Sequence, residues 1–251
     1  MRAFFKIMVL GLALLPAAAL ATVNLATAPI SRMDLPWWAT RFEQTLHQVK
    51  ADPDAQLVWL GDSITQYWQR QGTRGYDNIL PIWDKYYAPY HALDLGFVGD
   101  TTANLIWRIG HGQLDGLHPK LAIILIGANN FGHVHWDAGH TVPGIESVVA
   151  LTQARLPGAH ILLLGVLPSI RSPWVDAQTR ATNAALAAHY AGDADVTFHD
   201  VSGVLEKDGR ADAALYIDPR EVPPRPPLHP DATGMARIAA NIAPIVARYT
   251  R

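Results

Sequence analysis

The chain has 251 residues, 49% hydrophobic and 17% charged, a balance that supports a packed core and excludes a disordered or fibrous polypeptide. Its formal net charge is −2 and it carries no Lys/Arg block, so the electrostatic basis for nucleic-acid or anionic-membrane partners is missing. There are no cysteines, which excludes disulfides, thiolate chemistry and a lipid-modified cysteine together.

Residues 1–21 read as a secretory signal. Arg2 and Lys6 supply positive charge, Ile7 to Leu15 are mostly apolar, and Ala19-Leu20-Ala21 offers small residues for cleavage. The mature protein is expected to begin near Thr22 and to reach the periplasm or the medium of a bacterial cell. The alternative, an uncleaved amino-terminal anchor, is disfavoured because the apolar stretch is short for a bilayer. Residues 22–34 are expected to be a flexible lead-in, and residues 35–251 to form one domain, with no repeat, low-complexity tract or linker inside it.

Within that domain, Trp37 to Lys50 has the spacing of an amphipathic helix, and short apolar runs then alternate with helical patterns. The expected strands are Gln56 to Leu60, His91 to Leu95, Leu121 to Ile126, His160 to Val166 and Val196 to His199. Most are continuous apolar runs, as strands covered on both faces require. Thr101 to Ile109, Thr141 to Arg155 and Val175 to Ala191 are expected crossover helices. A last helix follows from Ala232 to Tyr249, with Asp231 as its cap. This alternation implies an α/β domain with a parallel sheet. Before the last helix, Pro223-Pro224-Arg225-Pro226-Pro227 is expected to hold one loop stiff and extended.

Ligands of open parallel sheets collect beyond the carboxyl ends of the strands, and the notable polar and glycine residues fall there. Ser63 follows the first strand, Gly99 the second, Asn129 and Asn130 the third, and His229 precedes the last helix. A serine needs a base to become a nucleophile, and attack on an ester needs donors for the resulting oxyanion. His229 suits the first role. The backbone N–H groups of Ser63 and Gly99 and the side-chain amide of Asn129 suit the second. Each has an ordinary alternative: Gly61-Asp62-Ser63 as a turn, Gly99-Asp100-Thr101 as a helix start, Asn129-Asn130 as a loop, and His229 as a surface histidine. Their ordered joint occurrence favours a site.

Trp59-Leu60-Gly61-Asp62-Ser63-Ile64-Thr65 resembles the first block of the SGNH/GDSL hydrolases. Asp94 to Thr102, Gly127-Ala128-Asn129-Asn130 and Leu228-His229-Pro230 are similar to the later blocks, in order. The stretch Gly99 to Asn130, with Leu105-Ile106-Trp107-Arg108-Ile109 and Pro119-Lys120, most resembles the platelet-activating-factor acetylhydrolase catalytic-subunit branch. The resemblance implies a flavodoxin-like three-layer α/β/α sandwich with a five-stranded parallel sheet. It also implies hydrolysis of short-chain acyl esters, often acetyl, without metal or other cofactor. It maps Ser63 onto the nucleophile, His229 onto the base, and Ser63, Gly99 and Asn129 onto the oxyanion hole.

One position departs from that pattern. The family usually has an aspartate three residues before the histidine, where this chain has Pro226, which can neither accept the imidazole N–H nor hold its tautomer. Loss of that acid costs on the order of 10⁴ in turnover in serine proteases. Asp218 is the first candidate to replace it, with a turn before Pro219 as its ordinary role; Glu221 is the second, with plain surface charge as its alternative. A backbone carbonyl, a water or a weakened site remain open, whereas Asp231 is explained by capping.

His133, His135 and His140 match no familiar ligand motif and read as loop residues, so no metal is expected. Trp37, Trp38, Trp68, Trp107 and Trp136 are expected mainly in core or rim packing, although stacking on sugars is open to them. The expected function is therefore hydrolysis of small acyl esters through an acyl-Ser63 intermediate, with O-acetylated carbohydrate or cell-wall glycan as the candidate natural substrate. The rival readings are a non-catalytic glycan- or lipid-binding relative and an O-acyltransferase using the same residues. Oligomeric state is not legible.

Overall fold

The computed structural model describes residues 23–219 and 225–250. The expected export signal, Glu221, Pro223 and Pro224 lie outside them. Five parallel strands form the main sheet: β1 (Leu57–Gly61), β2 (Ala92–Gly96), β3 (Leu121–Leu125), β4 (His160–Leu164) and β5 (Val196–His199). Their order, β2-β1-β3-β4-β5, is the flavodoxin-like winding, whose switch point lies between β1 and β3.

Around the sheet run α1 (Pro36–Ala51), α2 (Ser63–Gln66), α3 (Leu80–Tyr86), α4 (Thr102–Gly110) and α5 (Ala128–Gly132). The later helices are α6 (Ala138–Arg155), α7 (Pro173–His189), α8 (Ser202–Leu205) and α9 (Ala232–Thr250). Because strand side chains alternate, each strand feeds two cores. Val58, Leu60, Ile124 and Leu163 join Leu105 of α4, Val148 of α6 and Leu186 of α7 on one face. Trp59, Ile123 and Leu162 join Trp83 of α3 and Met235, Ile238 and Ile242 of α9 on the other. Burial on both faces explains the unbroken apolar runs, each such side chain contributing about 1.5–3 kcal/mol.

Of residues 22–34, read from sequence as a flexible lead-in, the structure describes 23–34 and ties them to the domain at Ala26 and Ile30, while Val23, Leu25, Ile30 and Met33 stay exposed. Ala26 is fully buried. The Thr102 hydroxyl donates to the Ala26 carbonyl at 2.8 Å, the Ile30 amide donates to the Ala103 carbonyl at 3.1 Å, and Asn104 Nδ2 donates to the Ile30 carbonyl at 2.9 Å. The segment lies so close to α6 that a Cβ on Gly144 would stand 2.8 Å from the Ala26 carbonyl and 2.6 Å from the Thr102 hydroxyl.

Two other differences from the sequence reading have local causes. Helix α6 starts at Ala138, earlier than expected, because the Asp137 side chain accepts the His140 amide at 3.0 Å, and Pro143 is accommodated within the helix. A hairpin of β6 (Glu206–Lys207) and β7 (Arg210–Ala211) turns through Asp208-Gly209, both at positive φ, the pair that a two-residue hairpin turn favours.

Candidate active site

Strand register brings the site together. Gly61 of β1 pairs with Gly96 of β2 and with Leu125 of β3, so the chain leaves three adjacent strands at one level. Ser63, Gly99 and Asn129 all lie just past that level. Both glycines are needed there: a Cβ on Gly61 would meet the Leu125 carbonyl at 2.2 Å, and one on Gly96 would meet the Gln66 amide nitrogen at 2.2 Å. Their absence of side chains lets α2 sit directly on the strand ends.

Ser63 opens α2, capped by Asp62, whose carboxylate accepts the Ile64 amide at 2.9 Å. Burial pushes the Asp62 carboxyl up to about 7, against the opposing pull of that hydrogen bond. Ser63 is 4% exposed, and its Oγ lies 2.8 Å from Nε2 of His229. The other ring nitrogen, Nδ1, faces Oδ1 of Asp218. With the Nδ1 proton directed at that carboxylate, Nε2 is left to accept from the serine hydroxyl.

Asp218 reaches His229 through a short antiparallel pairing. Tyr216 bridges Pro230, the Ile217 amide donates to the His229 carbonyl at 2.8 Å, and the Asp231 amide donates to the Leu215 carbonyl at 2.8 Å. Both carboxylate oxygens are engaged. Oδ2 accepts from the Leu228 amide at 2.5 Å and from Arg171 Nη2 at 3.1 Å, and Oδ1 also receives the Tyr76 hydroxyl at 3.4 Å. Burial works against the charge, but the bonds from His229 and Leu228 and the Arg171 cation together hold this carboxyl below its ordinary range. Tyr67 packs against the imidazole with ring centroids 4.7 Å apart and planes tilted by 45°.

Across from Ser63, Gly99 has φ +75°, and the Asp100 amide closes a turn onto the Phe97 carbonyl at 3.2 Å. Asn129, 2% exposed, donates one Nδ2 hydrogen to the Asp100 carbonyl at 3.0 Å and keeps its second for another acceptor. Asn130 serves the scaffold instead. Its side chain pairs with the Thr102 amide at 3.0 Å and hydroxyl at 2.9 Å, fixing α4 to α5. Beside Asn129 lies a cavity of about 280 Å³, walled by Gly132, Val175, Pro226 and Leu228 with Arg171 and Arg225 at its polar side.

A fully buried guanidinium supports these loops. Arg108 donates Nε to Asp100 Oδ2 at 2.8 Å, Nη1 to the Leu95 carbonyl at 2.9 Å and to Gln113 Oε1, and Nη2 to the Gly61 carbonyl at 3.0 Å. Asp100 also receives Trp38 Nε1 at 2.7 Å and Arg32 Nη1 at 3.0 Å. Asp100 therefore does more than start a helix, since its carboxylate joins α1, α4 and Arg32 to the loop after β2.

The structure thus brings Ser63, His229 and Asp218 into one relay, with Gly99 and Asn129 just past the ends of the neighbouring strands, while Glu221 lies outside the described residues. Asp231 caps α9, accepting the Gly234 amide at 2.7 Å. His140 pairs with Asp137 on the surface, and no group of three or more potential metal ligands occurs among the described residues. Trp38 and Trp68 are fully buried, whereas Trp37 is 47% exposed. Tyr76, Arg171 and Arg32 have no sequence signal that points to these roles. Only Arg108 carried a local signal, a cation between Leu105 and Ile109 in an apolar helix.

Residues 59–237 match the GDSL-like Lipase/Acylhydrolase family model. Bovine platelet-activating factor acetylhydrolase IB subunit alpha1 is 31% identical over 160 residues, covering 63% of this chain and 64% of that protein, just under two thirds of its length. A GDSL-like lipase from Bacteroides thetaiotaomicron superposes with TM-score 0.61 at 18% identity, over 82% of this chain and 97% of that one. A carbohydrate acetylesterase family member from Sinorhizobium meliloti superposes with TM-score 0.57 at 19% identity, over 77% and 98%. With its four sequence blocks meeting at the carboxyl ends of a flavodoxin-like sheet, the chain belongs to the GDSL-like lipase/acylhydrolase family.

Proposed function

We propose that this protein is a serine esterase that removes short acyl groups, acetyl foremost, through an acyl-Ser63 intermediate. The observation that carries the reading is the continuous relay from Ser63 Oγ, 2.8 Å from His229 Nε2, through the imidazole to Asp218. His229 Nε2 takes the serine proton as Oγ bonds to the ester carbon. The carbonyl electron pair moves to oxygen, where the Ser63 and Gly99 N–H groups and the free Asn129 Nδ2 hydrogen receive it. Collapse breaks the bond to the alcohol, which leaves with the proton from His229. Water then repeats the sequence: His229 takes its proton, its oxygen attacks the acyl carbon, and Ser63 recovers the proton as the carboxylic acid departs. Asp218 stays ionised throughout and stabilises the imidazolium.

Acetyl esters are supported as the substrate class by the names of the similar proteins, acetylhydrolase subunits and a carbohydrate acetylesterase. An O-acetylated carbohydrate or cell-wall glycan, met outside the cytoplasm after export through residues 1–21, is the natural substrate in this reading. Hydrolysis of 4-nitrophenyl acetate by wild type and by Ser63→Ala tests it. Turnover lost in the variant supports the reading, and equal rates overturn it. An added sugar acceptor distinguishes transfer from hydrolysis, because transfer yields the acetylated sugar at the expense of free acetate.

A further inference from the structure

Segment 23–34 binds one of the loops assigned to the oxyanion directly and reaches the other through Thr102. At one end its Ala26 carbonyl holds the Thr102 hydroxyl, which in turn binds Asn130, the neighbour of Asn129. At the other end Arg32 Nη1 donates to the Val98 carbonyl and to Asp100 Oδ1, both at 3.0 Å. The Val98 carbonyl belongs to the same planar peptide as the Gly99 N–H, and in a trans peptide the two point in opposite directions. That peptide is the central one of the turn closed from the Asp100 amide to the Phe97 carbonyl. It is the unit whose reversal interconverts the two common turn types. A glycine at the third position leaves both orientations sterically open, so the choice must be enforced from outside. Arg32 stands directly over Gly99: a Cβ there would lie 3.1 Å from its Nη1.

We propose that Arg32 is a positioning residue that locks the Val98–Gly99 peptide, so that the Gly99 N–H stays aimed at the oxyanion. The segment 23–34 is then a functional strap. This rests on the esterase reading and on Gly99 as an oxyanion donor. Gln66 Oε1, accepting the Val98 amide at 2.8 Å, fixes the preceding peptide and leaves the Val98–Gly99 unit as the one that can turn. Loss of Arg32 does not strip Asp100 of partners, because Trp38 and Arg108 remain, and the Arg32 side chain is itself 23% exposed.

The test is steady-state hydrolysis of 4-nitrophenyl acetate by wild type, Arg32→Met, Arg32→Lys and, as a control for lost surface ion pairing, Arg180→Met, which removes the surface pairs of Arg180 with Asp176 at 3.0 Å and Glu206 at 2.9 Å, with thermal melting of each. Arg32→Met is expected to lower kcat by roughly ten- to a hundredfold at nearly constant KM. Arg32→Lys, able to reach the Val98 carbonyl, should recover part of that loss, and Arg180→Met should match wild type. Labelling of Ser63 by a fluorophosphonate, whose tetrahedral oxygen uses the same donors, should slow in proportion to kcat. A folded Arg32→Met with wild-type kcat, or a loss that appears only in KM or melting temperature, overturns the proposal. Wild-type protein that neither turns over nor labels contradicts the esterase reading itself.

Discussion

Asp218 faces Nδ1 of His229 across an antiparallel pairing, eleven residues upstream in sequence, while Pro226 occupies the position three residues before the histidine. Four groups converge on its two oxygens: His229, the Leu228 amide, Arg171 and Tyr76. A carboxylate held this way has one orientation, and the imidazole it faces has one tautomer.

Replacing Asp218 with asparagine should therefore lower kcat by on the order of 10³- to 10⁴-fold with little change in KM. An amide turned to accept from Leu228 and Arg171 presents an N–H group to Nδ1, which favours the wrong tautomer. Steady-state kinetics on 4-nitrophenyl acetate check this, and activity within about tenfold of wild type would contradict the role assigned to Asp218.

Stability should fall as pH rises from about 4 to about 7 through two buried carboxyls. Burial pushes Asp62 and Asp94 up to about 7, whereas the unfolded chain titrates them near the ordinary aspartate value of 3.8. Between those values the folded state holds more protons, so each added pH unit favours unfolding. Asp218 has the opposite sign: its lowered value stabilises the fold above the ordinary carboxylate range and loses that contribution as pH falls further. Urea midpoints at pH 5 and pH 8, compared between wild type and Asp94→Asn, measure the first effect. The variant should show a smaller decrease on going to pH 8.

Arg108 is fully buried and bound to Asp100, Gln113 and the carbonyls of Gly61 and Leu95. Arg108→Met should destabilise by about 3–5 kcal/mol, because it leaves a buried carboxylate and two carbonyls short of donors. Chemical denaturation gives the number. A loss under about 1 kcal/mol would show that the network relaxes around the methionine.

Gly96→Ala should destabilise by about 1–3 kcal/mol or prevent folding, since the new methyl would stand 2.2 Å from a backbone nitrogen of α2. Gly110→Ala, with nothing within 4 Å of its Cβ, should be neutral or stabilising by up to about 1 kcal/mol. Thermal melts of the two variants, side by side, separate steric conflict from backbone entropy.

Local patterns made the sheet and its crossover helices legible. Leu121 to Leu125 is apolar throughout because both its faces are covered, and α4, α6 and α7 carry the amphipathic spacing of helices that cover them. Ser63, Gly99 and Asn129 were legible because parallel strands end at one level, which sequence order alone implies. Contacts set by distant pairing left no such trace. Nothing around Tyr76 or Arg171 announces that their side chains meet at Asp218, and Asn24 to Arg32 has no helical or strand period to reveal its packing on α4. The hairpin of β6 and β7 had a local signal in Asp208-Gly209, but its strands are only two residues long.

A covalent acyl group on Ser63 is the step on which every catalytic role above depends. Wild-type protein quenched in acid during turnover of 4-nitrophenyl acetate, digested and analysed by mass spectrometry tests this most directly. The peptide containing Ser63 should carry one acetyl group, with no acetylated form in the Ser63→Ala protein. Sustained turnover by wild type with acetyl on another residue, or undiminished turnover by Ser63→Ala, would contradict it.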